Sequence, residues 1–318
     1  MTPPKPAPGA GSGARFTLRQ LEAFATVVRL GGVSPAAAHL ARTQSAVSMA
    51  IQDLESALDT RLFTRRGRRL VPTGAADRLL PRALEMIDRS RDIAGLMAAD
   101  HEHLVPVAIG ASRTIGPALM PALIHDCHEQ TPTLRISLTV GNSEDLLARV
   151  RSFELDCAFV EGDVTDSGLE CAPWGQDRLC LVARVGHPLH TRRGAFLKRL
   201  GDQSWVLRER GSGSREIFLR AIEPLIGSPE IAVEVNEPET QKRIVRETDL
   251  ITCMSARAID PHTDAVREIV GPGPELRRAL TRRFWIVRHP QRYRHEAVKR
   301  VIDTALRMVE PARPGPGR

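Results

Sequence analysis

Apolar residues near the start of the chain recur every three or four positions, the spacing of one helical face. Leu18, Leu21, Phe24 and Val28 form the first such stripe. Thr17 and Gln20 stand at capping-box spacing before it, and Gly31-Gly32 ends it. Ser34-Pro35 then predicts a second, short helix, with a hydroxyl cap and proline at the first helical position, burying Ala37 and Leu40. Thr43 caps a third, whose inner face is Val47, Ile51, Leu54 and Leu58. The segment RLFTRRGRRLVPT (61–73) reads as a basic β-hairpin turning at Arg66-Gly67. Thr73 opens a long helix to about residue 99, about 40 Å at the usual rise. Leu79, Ala83, Met86, Ser90, Ile93 and Met97 alternate steps of four and three along it, a heptad seam suited to a second copy of the helix.

From Leu104 the texture changes. Strands are expected at VPVAIG (105–110), LRISLTV (134–140) and LDCAFVEG (155–162), separated by helices from about Ile115 to Gln130 and over EDLLARVRS (144–152). Alternation of this kind implies a parallel sheet covered by helices. It resumes with strands at RLCLVAR, SWVLRE, IAVEVN, LITCMS, AVREIV and RRFWIV. Helices are expected from about Ser214 and Glu239, with a last one from about Tyr293 to Val309. Roughly 205 residues of this pattern fit two α/β lobes better than one sheet. The expected plan is a tail (1–15), a helical head with its hairpin (16–73), a linker helix (74–100), an α/β body (104–310) and a second tail (311–318). Within the body, lobe I is placed at about 104–172 and 266–310, and lobe II at about 173–265.

Charge sharpens this plan. Residues 1–71 carry ten Lys/Arg against four Asp/Glu, so about +6 of the chain's net +7 resides in the head. A basic head on a nearly neutral body points to a polyanionic partner. The five cysteines are scattered and form no CxxC pair, which suits buried thiols in a reducing cytoplasm. No apolar run reaches the ~18 residues of a membrane span, and the first residues lack the apolar centre of a signal peptide.

Two places could carry chemistry. In the head, two short helices joined by a tight turn make a helix-turn-helix, whose second helix must present small polar side chains to a groove. Gln44, Ser45 and Ser48 meet that need on the face opposite Val47 and Ile51. Ser34 and Thr43 fit either as caps alone or as caps that also meet phosphate. Arg42, Arg65, Arg68 and Arg69 fit backbone or minor-groove contact, and Arg66 shares that hairpin. In the body, three strand-to-helix loops offer hydroxyls, amides and free backbone N–H groups suited to a small anion: Ser112-Arg113-Thr114, Asn142-Ser143, and Arg210-Gly211-Ser212 with Ser214. There is no GxSxG, HExxH or Walker loop, so neither an enzyme, a metal centre nor a fixed cofactor is expected. A solute-binding module with a basic head used for another contact is the alternative reading.

The segment LRQLEAFATVVRLGGVSPAAAHLARTQSAVSMAIQDLESALDTRLFTRRGRRLVPTGAADRLL resembles the LysR-type bacterial transcriptional regulators. Phe24, Ala36-Ala37, Leu40, Gln44, Ala46-Val47-Ser48, Ile51, Leu54-Glu55, Leu62-Phe63, Arg65 and Thr73-Gly74 fall where that family has them. IGASRTIG, VGNSEDLL, GHPL and WVLRERGSGSRE are similar to its sulfur-assimilation, sulfite-response and carbon-fixation branch. The resemblance implies a winged helix-turn-helix, a dimerising linker helix, and a two-lobed periplasmic-binding-protein-like domain with an effector between the lobes. It also implies a dimer of dimers on inverted-repeat promoter DNA. Four departures stand out, one being Asn236-Glu237-Pro238 in place of a usual small serine–acid pair. Ser45 replaces a common proline, and Arg113 a small hydroxyl residue. ETDLITCMS (247–255) replaces a glycine-rich segment, placing Thr252 in the wall of the expected cleft.

Overall fold

The computed structural model describes residues 15–66, 69–97, 106–162, 164, 167–190, 196–260, 262–270 and 273–308. The expected tails apart from Arg15, the hairpin residues Gly67 and Arg68, and the expected end of the linker helix (98–100) lie outside them, as does the side chain of Arg69. The chain forms two compact units, residues 1–97 with 291–293, and 98–290 with 294–318.

In the first unit, α1 (Leu18–Leu30), α2 (Val33–His39) and α3 (Gln44–Leu58) precede a hairpin of β1 (Phe63–Arg66) and β2 (Arg69–Pro72), and α4 (Gly74–Met97) follows. The capping box is present: the Gln20 amide N–H donates to Thr17 Oγ1, and the Thr17 N–H to Gln20 Oε1 at 2.7 Å. Leu21, Phe24, Ala37, Val47, Leu54 and Leu62 are buried, so three short helices close on one core. Two residues of the expected first stripe differ: Leu18 is exposed and Val28 half-buried, because the buried face is rotated toward Ala23 and Val27. Ser34 is not a cap. The second helix starts two residues earlier, with Gly32 in the cap position, and Ser34 sits in its first turn.

Glu55 ties the third helix to the hairpin. Its Oε1 accepts from the backbone N–H of Leu62 at 2.7 Å and of Phe63 at 3.1 Å. Along α4 the face turned into the unit is Ala76, Leu80, Ala83 and Ile87. Of the expected heptad seam, Ala83 therefore belongs to the core, whereas Met86 and Ile93 are 43% and 62% exposed.

The second unit carries the expected α/β alternation. Its first lobe opens with β3 (Val107–Ser112), α5 (Ile115–Gln130), β4 (Ile136–Gly141), α6 (Ser143–Arg151) and β5 (Cys157–Glu161). Then come β6 (Glu170–Arg184), α7 (Phe196–Gly201), β7 (Ser204–Arg208), α8 (Gly213–Ile226), β8 (Glu230–Val235), α9 (Pro238–Glu247) and β9 (Ile251–Ser255). The unit closes with β10 (Val266–Glu268), α10 (Pro274–Ala279), β11 (Thr281–Arg288) and α11 (Glu296–Met308). The nine strands run in the order β4-β3-β5-β11-β6-β9-β7-β8, with β10 beside β6. The triplets β4-β3-β5 and β9-β7-β8 are parallel, as the alternation requires, and the strands linking them are antiparallel.

β6 joins the lobes. Its Glu170–Arg178 half pairs with β11, and its later half with β9 and β10. One core gathers Ile109, Phe159, Trp174, Phe284 and Val301; another gathers Leu181, Trp205, Phe218, Ile269, Leu276 and Leu280. The expected lobe boundaries therefore shift. Trp174 packs with the first lobe, and residues through Leu280 pack with the second, so the return crossing lies at β11.

Candidate functional site

Thr43 caps α3, its Oγ1 accepting from the Ala46 N–H at 3.2 Å and standing 3.0 Å from Ser45 Oγ. The turn before it bends through Ala41 at φ 51°, and the Arg42 N–H donates back to the Ala37 carbonyl at 2.9 Å. Val47, Ile51 and Leu54 anchor the helix from behind. Gln44 and Ser45 are exposed and Ser48 half-buried on the outer face, joined by exposed Met49. Ser34 and Arg42 lie nearby in sequence, and Arg65 and Arg66 are exposed on β1. Small polar groups at a helix N-terminus, flanked by guanidiniums, can meet base edges and phosphates.

In the second unit the predicted loop residues separate into different roles. Arg113, Thr114 and Ser214 line a cavity of about 560 Å³ with Arg208, Glu237, Gln241, Ser255 and Arg257. Its remaining walls are largely apolar: Pro117, Ala118, Val140, Pro238, Met254 and Ala258. Ser143 and Gly211 instead line a smaller cavity of about 340 Å³ with Glu144, Glu161 and Glu216. Ser112 is buried and its Oγ accepts from the Ile115 N–H at 3.2 Å, a helix-start contact. Ser212 is buried at the start of α8, and Arg210 is exposed. Gly211 sits at φ +76°, which favours glycine, and a Cβ there would also push the Glu144 carboxylate aside.

Thr252 does not line the larger cavity. It is fully buried in β9, donating to the Val206 carbonyl at 2.7 Å and accepting from Gln241 Nε2. The departure at ETDLITCMS thus builds a core hydrogen bond, leaving the wall to Met254 and Ser255.

Sequence reasoning missed the most connected group. Arg282 of β11 has a fully buried guanidinium. It reaches Asp177 Oδ2 at 2.7 Å, Ser214 Oγ at 2.9 Å, Thr114 Oγ1 at 3.2 Å and Glu161 Oε1 at 3.3 Å. Ser255 Oγ donates to Asp177 Oδ1 at 2.9 Å. A charge inside the apolar alternation RRFWIV was the available signal, because buried charges are paired. Glu209, just after β7, is also held: Arg208 Nε donates to it at 2.8 Å and Asn142 Nδ2 at 2.9 Å. Burial works to raise the Glu209 carboxyl, but the Arg208 contacts outweigh it and hold the group below the usual carboxylate range.

Among the described residues no cluster of three or more His, Cys, Asp or Glu is placed to hold a metal ion, and no helix is long and apolar enough to cross a membrane.

Residues 18–77 match the family model for the bacterial regulatory helix-turn-helix protein of the lysR family, and residues 106–310 that for the LysR substrate binding domain. The chain belongs to the LysR family. It is a DNA-binding transcriptional regulator with an effector-binding domain. The HTH-type transcriptional regulator YeiE of Escherichia coli strain K12 is 37% identical over 290 residues, covering 91% of this chain and 96% of YeiE. CysL of Bacillus subtilis is 32% identical over 197 residues, 62% of this chain and 66% of CysL, in keeping with the expected branch. Two solved structures share the fold at 20% identity. A full-length OxyR variant of Pseudomonas aeruginosa has a TM-score of 0.70, covering 91% of this chain and 94% of OxyR. Full-length CbnR in complex with its target DNA has a TM-score of 0.55, covering 92% of this chain and 100% of CbnR.

Proposed function

We propose that the exposed start of α3 reads an operator and that a small anion in the 560 Å³ cavity modulates that binding. Gln44, Ser45 and Ser48 contact base edges, while Ser34, Arg42, Thr43, Arg65, Arg68 and Arg69 hold phosphates. The observation that supports this most is the two-sided build of α3: Val47 and Leu54 are fully buried on one face and only small or polar groups flank the N-terminal turn on the other. For the effector, the support is Arg113, Arg208 and Arg257 around one cavity into which the start of α5 also turns. The exposed Met86 and Ile93 on α4 support a helix–helix contact between copies, and we place the assembly as a dimer of dimers on an inverted repeat. The protein acts in the cytoplasm, without catalysis and without a fixed cofactor.

The test is fluorescence anisotropy with the chain's own promoter region. Wild type binds with an affinity that falls steeply with salt. Gln44→Ala with Ser48→Ala costs about 2–4 kcal/mol of specific binding while leaving non-specific binding in place. Unchanged specific affinity in the double variant refutes this placement of the reading residues.

A further inference from the structure

We propose that Glu209, supported by Glu237, is a built-in competitor for the effector, so that the ligand which works here is a small organic carboxylate able to take Glu209's place. This rests on the effector reading above and specifies its chemistry. Glu209 stands at the end of β7 in the second lobe. Its carboxylate faces the Arg208 fork, with Nε 2.8 Å from Oε2 and an Nη 3.0 Å from Oε1. The same Oε1 accepts from Asn142 Nδ2 at 2.9 Å, and Arg113 Nε lies 3.9 Å away. Asn142 and Arg113 belong to the loops after β4 and β3 in the first lobe. One carboxylate is therefore grasped by both lobes. The far end of the Arg113 guanidinium is ion-paired with Glu237, at the start of α9.

Two guanidiniums and two carboxylates thus neutralise each other: Arg113, Arg208 and Glu237 line the cavity, and Glu209 is in contact with both guanidiniums. A buried, paired Arg208 (4% exposed) admits a replacement only if it brings charge and the same two-pronged geometry. A carboxylate meets both conditions, whereas a neutral isostere leaves Arg208 without a partner. The apolar walls from Pro117, Ala118, Val140, Met254 and Ala258 suit a hydrocarbon body better than a bare inorganic oxyanion. Because Glu209 is tethered, it competes at high effective concentration and weakens every incoming anion. Removing its charge while keeping its shape should therefore tighten anion binding, which a merely structural ion pair would not do.

The experiment is calorimetric titration of the full-length protein with benzoate, succinate and, as the inorganic comparison, sulfate. Glu209→Gln is expected to bind benzoate or succinate about tenfold tighter than wild type, and Glu237→Gln several-fold tighter. Adding Arg113→Gln to Glu209→Gln should cancel the gain. Glu237 is half exposed, so its variant carries the test should Glu209→Gln fold poorly. Equal or weaker carboxylate binding by the folded variants overturns the proposal, as does a gain confined to sulfate. An anion that binds wild type and alters its DNA footprint, yet binds the variants no tighter, overturns the competitor and leaves the effector reading standing. No anion binding to any of the proteins overturns both.

Discussion

Glu55→Ala tests how the DNA-binding unit is held together. The Glu55 carboxylate is the acceptor for two buried backbone N–H groups, those of Leu62 and Phe63, and for Arg61 at 3.2 Å. Arg61 is 83% exposed, so its share is under about 1 kcal/mol. The backbone pair dominates. Each donor loses a bond to a charged acceptor, and each buried N–H left unmet costs about 1–3 kcal/mol. Water entering the vacated space recovers part of this, so a net loss of about 3 kcal/mol is expected. Glu55→Gln keeps one acceptor oxygen and should lose about half as much. Trp174, Trp205 and Trp285 all belong to the second unit, so tryptophan fluorescence will not follow this unfolding. Hydrogen exchange of the full-length protein will, through the Leu62 and Phe63 amides. The same variant should bind promoter DNA more weakly, because the strand carrying Arg65 and Arg66 starts at Phe63. Amide protection within about 0.5 kcal/mol of wild type would refute the assignment of these bonds as the clamp.

Four further outcomes follow from the same geometry. Arg282→Met should destabilise the second unit by about 3–5 kcal/mol in urea unfolding followed by tryptophan fluorescence, because buried Glu161 loses its cation and buried Asp177 keeps only Arg257 at 3.8 Å; a loss under about 1 kcal/mol would contradict the network. Burial pushes the His187 imidazole below its ordinary value, and its Nδ1 accepts from the Leu189 N–H at 3.2 Å. The unfolded chain therefore takes up that proton first, so stability is full above about pH 6.5 and declines below it; His187→Gln should flatten the fall in melting temperature between about pH 7.5 and 5.5. Burial also pushes the Cys180 thiol up to about 12 and Cys157 and Cys253 well above the usual thiol range, so a thiol reagent at about pH 7.5 should label these three only after denaturant is added. Finally, Met86→Lys with Ile93→Lys should lower the assembly mass seen by light scattering while leaving the circular dichroism of the chain unchanged.

The strongest periodicities were legible. The third helix and the heptad-bearing helix follow from spacing, because each buries one face and exposes the other. The inner strands of the parallel triplets follow from short apolar runs, because β3, β5, β7 and β9 are buried nearly throughout. β6 was half legible. RLCLVAR marks its later part, but Glu170–Asp177 holds Pro173 and Gly175 and shows no alternation; it is a strand because it crosses between lobes beside β11, a long-range pairing. Ser34 misled for a local reason: Ser-Pro reads as cap and first turn, yet the helix begins at Val33. In the cleft, the loops were found but not their division of labour. Ser112 and Asn142 spend side-chain oxygens on helix starts, and Thr252 spends its hydroxyl in the core. Loop chemistry marks where polar groups gather, whereas which of them stay available depends on partners both beside them in the chain and brought by folding from as far as 168 residues away.

Those distant partners also explain how a ligand could be felt beyond its own cavity. Arg282 binds Thr114 at the start of α5, Ser214 in the first turn of α8, Glu161 at the end of β5 and Asp177 on the crossing strand. Thr114 and Ser214 line the larger cavity, so a ligand there touches two of the groups that hold Arg282. The angle between the lobes is set where β6 and β11 cross, which is where Asp177 pairs with Arg282. Contacts this dense around a buried charge do not deform by small degrees; they exchange one set of partners for another. A ligand that draws Thr114 or Ser214 away from Arg282, or releases Asn142 from Glu209, therefore biases the lobes toward a different closure by its differential affinity for the two states. Thr114 belongs to the first lobe and Ser214 to the second, so a ligand in the larger cavity would act on bonds that tie the two lobes together.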